Sequence, residues 1–247
     1  MNVLIVIPAR MDSERFPGKP LADLNGKPVL QHVWERAKET GAEVIITSPD
    51  LEIQDLAVNK LRAGFCRTSP DLPTGTHRVA QVLETASQEP DIIVNWQGDE
   101  PLVDPECVRS LIQHVWAVES VASSVATLVA PMPVRDRMWM AEGAGMVPLL
   151  TDTDVVKAAV SNNRCHWFSR APMAGAMAHC GVYAFTNGGL CLATRCPPSE
   201  LSKAERLEQL TWIENGLPIW AVEMEELPPA INRPQDLEEA EQWIKEQ

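Results

Sequence analysis

"VLIVIPARMDSERFPGKP", residues 3–20, is the stretch on which the fold turns. Its first seven residues, Val3 to Ala9, are all apolar, too few to cross a membrane and of the length of a strand buried on both faces. The run ends at Arg10. The segment Arg10 to Pro20 then carries three cations, Arg10, Arg15 and Lys19, around the Pro17-Gly18 pair. Downstream, "PVLQHVWERAKETG" (Pro28 to Gly41) predicts an amphipathic helix with Pro near its start and Gly at its end. "EVIITS" (Glu43 to Ser48) predicts a strand, and the pattern of Leu51 to Leu61 another helix. "DIIVNW" (Asp91 to Trp96) predicts a strand running straight into "QGDEP", followed by a helix over Pro105 to Val118. Strands alternating with helices predict an α/β chain with a doubly wound, Rossmann-like, mostly parallel sheet, whose ligands bind at the carboxyl ends of the strands. Both charged loops leave such ends, so the topology brings "RMDSERFPGKP" and "QGDEP" to one rim.

The region of about 120–189 is less regular. "SSVATLVAP" and "HCGVYAF" predict strands, whereas Met138 to Thr153 shows no clear period, and an inserted, partly antiparallel subregion is expected there. The tail resumes with a helix over "LSKAERLEQLTWIENG", a strand over "LPIWAVEM" and a terminal helix over "PQDLEEAEQWIKEQ". With 247 residues and no linker or repeat, a single domain spanning 1–247 is expected.

Composition narrows the partners. A formal net charge of −13 argues against a nucleic-acid polymer, whose binding needs a basic surface. Apolar runs are strand-sized and no signal-peptide pattern opens the chain, so the expectation is a cytoplasmic protein with no membrane partner. The six cysteines form no C-x-x-C pair and no metal-ligand cluster, and read as reduced.

Taken alone, the opening loop matches neither standard phosphate cradle. It suits a polyphosphate, because Gly18 permits close backbone approach and three cations surround the charge; it equally suits a solvated loop. Asp99, in "NWQGDEPLV", is a candidate Mg2+ ligand, since Mg2+ takes one or two carboxylates and completes its shell with phosphates and water. The same Asp also reads as a turn residue bonding its own backbone.

"IPARMDSERFPGKPLADLNGKP" together with "VNWQGDEP" resembles the 3-deoxy-manno-octulosonate (Kdo) cytidylyltransferase family, which makes CMP-Kdo for bacterial lipopolysaccharide. The resemblance continues through "TSPDLPTGTHRVAQVLE" (Thr68 to Glu84), "FSRAP" (Phe168 to Pro172), "HCGVYAF" (His179 to Phe185) and "RLEQLTWIENG" (Arg206 to Gly216), and so spans nearly the whole chain. It implies transfer of CMP from CTP to the anomeric hydroxyl of an acidic sugar, with pyrophosphate released, Mg2+ as cofactor, and a homodimer formed through the inserted subregion around Val134 to Met146. By position, it implies that Arg10 and Lys19 hold the triphosphate, supported by Ser13 and Arg15. Pro8, Ala9, Thr68, Gly75, Thr76 and Gln97 would frame the nucleotide. The sugar pocket would draw on Arg78, Gln97, Arg170, His179, Tyr183, Glu205, Glu208 and Gln209. On spacing alone Glu205, Glu208 and Gln209 also fit one solvated helix face, and His179 a structural histidine.

Three departures stand out. Asn232, in "AINRPQDL", occupies the place of a family Asp that joins Asp99 in binding Mg2+, and Asn offers an oxygen without a charge. The segment between "FSRAP" and "HCGVYAF" is only "MAGAMA", and "SPD" (Ser48 to Asp50) replaces Ala-Thr-Asp. They leave room for an analogue such as 8-amino-Kdo, for a catalytically weakened paralogue that binds nucleotide or sugar, or for a nucleotidyltransferase acting on a sugar 1-phosphate.

Overall fold

The computed structural model describes residues 1–86, 88–117, 123–132, 134–135 and 147–246. Nine strands form one sheet: β1 (Val3–Pro8), β2 (Glu43–Ser48), β3 (Gly64–Arg67), β4 (Ile92–Trp96), β5 (Val125–Ala130), β6 (Lys157–Ser161), β7 (Arg164–Ser169), β8 (Met177–Thr186) and β9 (Ile219–Glu223). Their order is β6-β7-β9-β5-β8-β4-β1-β2-β3. The expected strand β1 pairs parallel with β2 and β4, which places the loops after Pro8 and Trp96 side by side. The contact is tight: a Cβ on Gly98 would lie 3.0 Å from the Pro8 carbonyl oxygen and 3.4 Å from the Ala9 methyl.

Alternation along β1 explains the two layers. Ile5 and Ile7 pack with α1 (Val29–Glu39), α2 (Leu51–Asp55) and α4 (Pro105–Ala117) on one face. Leu4 and Val6 pack on the other with α3 (Gly75–Leu83), α5 (Asn187–Arg195) and α7 (Glu208–Glu214). Successive strand residues point to opposite faces, so an unbroken apolar run requires cover on both. A third cluster seats α8 (Asp236–Glu246) through Ala240, with Leu237, Trp243 and Ile244 packed around it, against Leu24, Leu102 and Ile231.

The structure departs from the expected elements in four ways. The sheet is mixed rather than mostly parallel, because the long β8 lies antiparallel between β4 and β5 while β9 runs parallel to β5. The antiparallel strands expected of an insert are thus woven into the main sheet. The single helix expected over Leu201 to Gly216 is two, α6 (Glu200–Glu205) and α7. Arg206 ends the first in a left-handed conformation (φ 55), and Leu207, extended at φ −131, is driven into the core. The helix from Leu51 widens into a π-helical turn over Leu56–Leu61. Finally, β3 and α3 have no counterpart among the expected elements: β3 is a short edge strand, and α3 is nine residues behind a Pro-rich loop. Residues 136–146, on which most of the expected dimer contact falls, lie outside the described residues. All six cysteines are free, and among the described residues no helix is long and apolar enough to cross a membrane.

Gly189 supplies a stability test. A Cβ there would sit 2.1 Å from the Ser124 carbonyl oxygen, where α5 crosses the start of β5. Gly189→Ala therefore forces backbone apart at a cost of about 2–3 kcal/mol. Thermal unfolding should show Tm lowered by about 5–10 °C; an unchanged Tm would mean that this crossing relaxes freely.

Candidate active site

Two adjoining cavities open on the rim, and Arg15, Gln97 and Asp99 line both. One, of about 270 Å3, is walled by the opening loop on one side, through Pro8, Ala9, Arg10, Ser13 and Lys19. Its other side is the start of α3, with Thr74, Gly75 and Arg78. The loop is folded by its own chemistry. Gly18, at φ 76, closes it through a bond from its N–H to the Met11 carbonyl, and starts the short helix Lys19–Leu21. Asp50, from the divergent "SPD", accepts from Met11 N at 2.7 Å and so ties the loop to the end of β2. Lys19 reaches across to Asp99, Nζ to Oδ2 2.7 Å.

The second cavity, of about 240 Å3, is lined by Arg170, His179, Tyr183, Glu208 and Gln209, together with Glu100, Asp154, Arg206 and Asn232. His179 is buried, its Nε2 3.0 Å from Thr127 Oγ1, and Gln209 Nε2 donates to the Tyr183 hydroxyl. Glu208 binds the two cavities together, its carboxylate accepting from Thr74 Oγ1 at 2.7 Å and Thr76 Oγ1 at 2.9 Å, and burial pushes its pKa up. Asn232 is held beside Asp99 by the backbone: Ile231 N donates to the Asp99 carbonyl at 2.9 Å.

The positive charges are arranged against their own preference. Burial first, then Arg10, lowers the pKa of Arg78 in the first cavity; burial first, then Arg15, lowers that of Arg170 in the second. Guanidinium groups that repel one another around a cavity are stabilised by an anion between them. Asp50 offsets part of this repulsion at Arg78, and Asp154 and Glu205 part of it at Arg170.

Most residues expected from sequence converge here, and four do not line the cavity expected of them. Arg78, expected in the sugar pocket, lines the first cavity and not the second, and its Nη1 donates to Thr68 Oγ1 (2.7 Å) and the Ser69 carbonyl (2.9 Å). Thr68 and Thr76 are buried behind the first cavity and line neither, Thr68 holding Arg78 and Thr76 holding Glu208. Glu205, the last residue of α6, does not line the second cavity; its carboxylate accepts from Ser169 Oγ and Arg170 N and so fixes Arg170. The solvated-face reading of Glu205, Glu208 and Gln209 fails with the same break, since Gln209 is 4% exposed.

Sequence reasoning passed over Asp154 and Glu100. Asp154 takes Arg15 on one carboxylate oxygen and Arg233 Nε on the other, at 2.7 Å, while Arg15 also donates to Asn232 Oδ1 at 3.2 Å. It sits at the edge of the segment without a clear period, so nothing local marked it. Glu100 was visible as Asp99's neighbour; burial, and then Asp99, push its pKa up to about 8.

A polar cleft beside an arginine-lined second cleft has relatives among known proteins. The family model described as "Cytidylyltransferase" matches residues 4–224. This chain belongs to the cytidylyltransferase family. The 3-deoxy-manno-octulosonate cytidylyltransferase of Vibrio cholerae serotype O1 (strain M66-2) is 34% identical over 100% of this chain and 99% of its own length. That of Anaeromyxobacter sp. (strain K) is 38% identical over 97% and 96%. A solved structure of CMP:2-keto-3-deoxy-manno-octonic acid synthetase complexed with CTP superposes with a TM-score of 0.84 at 31% identity, covering 100% of this chain and 99% of that one.

His179 predicts that the stability of this cytidylyltransferase falls in acid. Burial, and then the Arg170 charge, push its pKa from 6.5 down to about 3. Below pH 6.5 the unfolded chain takes up a proton that the native chain refuses, so stability is complete above pH 6.5 and falls as pH drops towards 3. Denaturant titrations between pH 4 and 7 should show a shallower slope of stability against pH in His179→Asn than in wild type; parallel slopes would exclude His179 as the group responsible.

Proposed function

We propose that this chain transfers CMP from CTP to the anomeric hydroxyl of Kdo or a closely related 2-keto acid sugar in the cytoplasm, as a Mg2+-dependent homodimer. The observation that carries the reading is the pair of clefts meeting at Asp99, Gln97 and Arg15, each with its own cationic seat. CTP occupies the first cleft, its phosphates among Arg10, Lys19 and Arg78 and near the N-terminus of α3. The sugar occupies the second, its carboxylate on Arg170, the natural bidentate partner. The anomeric hydroxyl oxygen attacks the α-phosphorus at the seam and gives up its proton to solvent as the bond to the β,γ-phosphates breaks and pyrophosphate leaves. No covalent enzyme intermediate is needed, because alignment and neutralisation of charge supply the rate.

Asp99 at the seam and Asn232 in the second cavity would hold Mg2+ through one carboxylate and one amide oxygen, displacing the Lys19 and Arg15 cations that these oxygens accept from, with phosphates and water to complete six oxygens. Bound there, Mg2+ would neutralise phosphate charge at the reacting centre. Asp154 lines the same cavity, but its two oxygens are taken by Arg15 and Arg233, so the charge of the metal site rests on Asp99.

Pyrophosphate release from CTP with Mg2+ and a panel of Kdo, 8-amino-Kdo and sugar 1-phosphates tests the reading. Turnover with a 2-keto acid sugar is expected. Turnover only with sugar phosphates, or CTP binding without turnover on any of them, would overturn it.

A further inference from the structure

Two residues that line the second cavity each carry a buried side-chain oxygen with no hydrogen-bond partner among the described residues, Glu100 Oε2 and Gln209 Oε1. Such groups are rare in native proteins, because an unmet buried polar atom costs about 1–3 kcal/mol. Glu100 is otherwise firmly held. Its Oε1 accepts from Gly181 N at 2.9 Å, its backbone carbonyl accepts from Trp96 Nε1 at 3.0 Å, and the Cys180 thiol, a weak donor, lies against the carboxyl.

Gly181 falls within a register shift of β8 against β5, between Cys180 and Tyr183. A Cβ there would lie 3.0 Å from Glu100 Oε1 and 3.1 Å from Gln97 Oε1. The strand is thus irregular, and the residue is small, at the one place where two polar side chains from the "QGDEP" turn press against it. Irregularities of this kind re-aim groups beside active sites.

We propose that Glu100 holds a hydroxyl of the acidic sugar through its free Oε2, and that residue 181 is glycine so that Glu100 and Gln97 can meet the sugar together. The inference rests on the proposed function and adds a recognition residue to it. A hydroxyl both donates and accepts, so the contact forms in either protonation state of Glu100. Glu100 does not line the CTP cavity, so its contribution is confined to the sugar.

Steady-state kinetics with Kdo and CTP varied separately test this. Glu100→Ala and Gly181→Ala should each raise the KM for Kdo about tenfold, one good hydrogen bond, and leave the KM for CTP within about twofold. Glu100→Gln, which keeps a hydrogen-bonding atom at the same place, should recover most of the loss. Among Kdo analogues each lacking one hydroxyl, one should bind wild type and Glu100→Ala equally. An unchanged Kdo KM in Glu100→Ala, or parallel rises for Kdo and CTP, would overturn the inference while wild-type turnover left the proposed function standing. Wild type without turnover would overturn the proposed function, and this inference with it.

Discussion

Lys19→Met should lower kcat by about 10²–10³-fold, the loss expected when one preorganised charge is removed from a transition state. The Lys19 Nζ sits 2.7 Å from Asp99 at the seam of the two clefts, with only 12% of its side chain exposed, so its charge acts where water screens it least. Met keeps the length and apolar stem and removes the ammonium, which separates charge from packing. Asp99→Asn should fall comparably in kcat, and in addition lose Mn2+ binding measured by electron paramagnetic resonance without substrate. A Lys19→Met enzyme that kept a tenth or more of wild-type kcat would mean that Arg10 and Arg78 alone neutralise the phosphates.

Arg170→Ala should raise the KM for the sugar at least about 30-fold, because breaking a charge-assisted pair costs about 2–5 kcal/mol. The KM for CTP should stay nearly constant, since Arg170 lines only the second cavity. Arg170→Lys should recover part of the affinity and not all, because an ammonium cannot make the bidentate contact. Arg170 also donates to the carbonyls of Thr153 and Glu205, so melting curves on both variants are the control for local unfolding. Equal rises in both KM values would assign Arg170 a structural role.

The residues that sequence reading placed well share a feature: each sits at or beside an element whose pattern is strong. Val3 to Ala9 could be little other than a buried strand, and its sequel, with Asp99 after "DIIVNW", had to reach the same edge. The readings that missed turned on side-chain pairings and on one backbone conformation, none of which a residue spacing announces. Arg78 is 4% exposed because Thr68 and Ser69 receive it, and no spacing along α3 reveals that. Asp154 is separated from Arg15 by 139 residues and from Arg233 by 79. Glu205 and Glu208 were parted by a left-handed residue at Arg206, a conformation that a helical pattern does not announce.

The sequence by itself determined the alternating strands and helices, the basic loop and acidic turn on one rim, and, through motif order along the chain, the family. Apolar periodicity and turn chemistry are local, and local patterns survive being read one residue at a time. Only the tertiary structure decided the antiparallel course of β8, the separation of two clefts by the Asp99, Gln97 and Arg15 seam, and the unmet oxygens of Glu100 and Gln209. These are pairings between strands and side chains far apart in the chain. Burial, and the electrostatics that follow from it, exist only once both partners have been brought together.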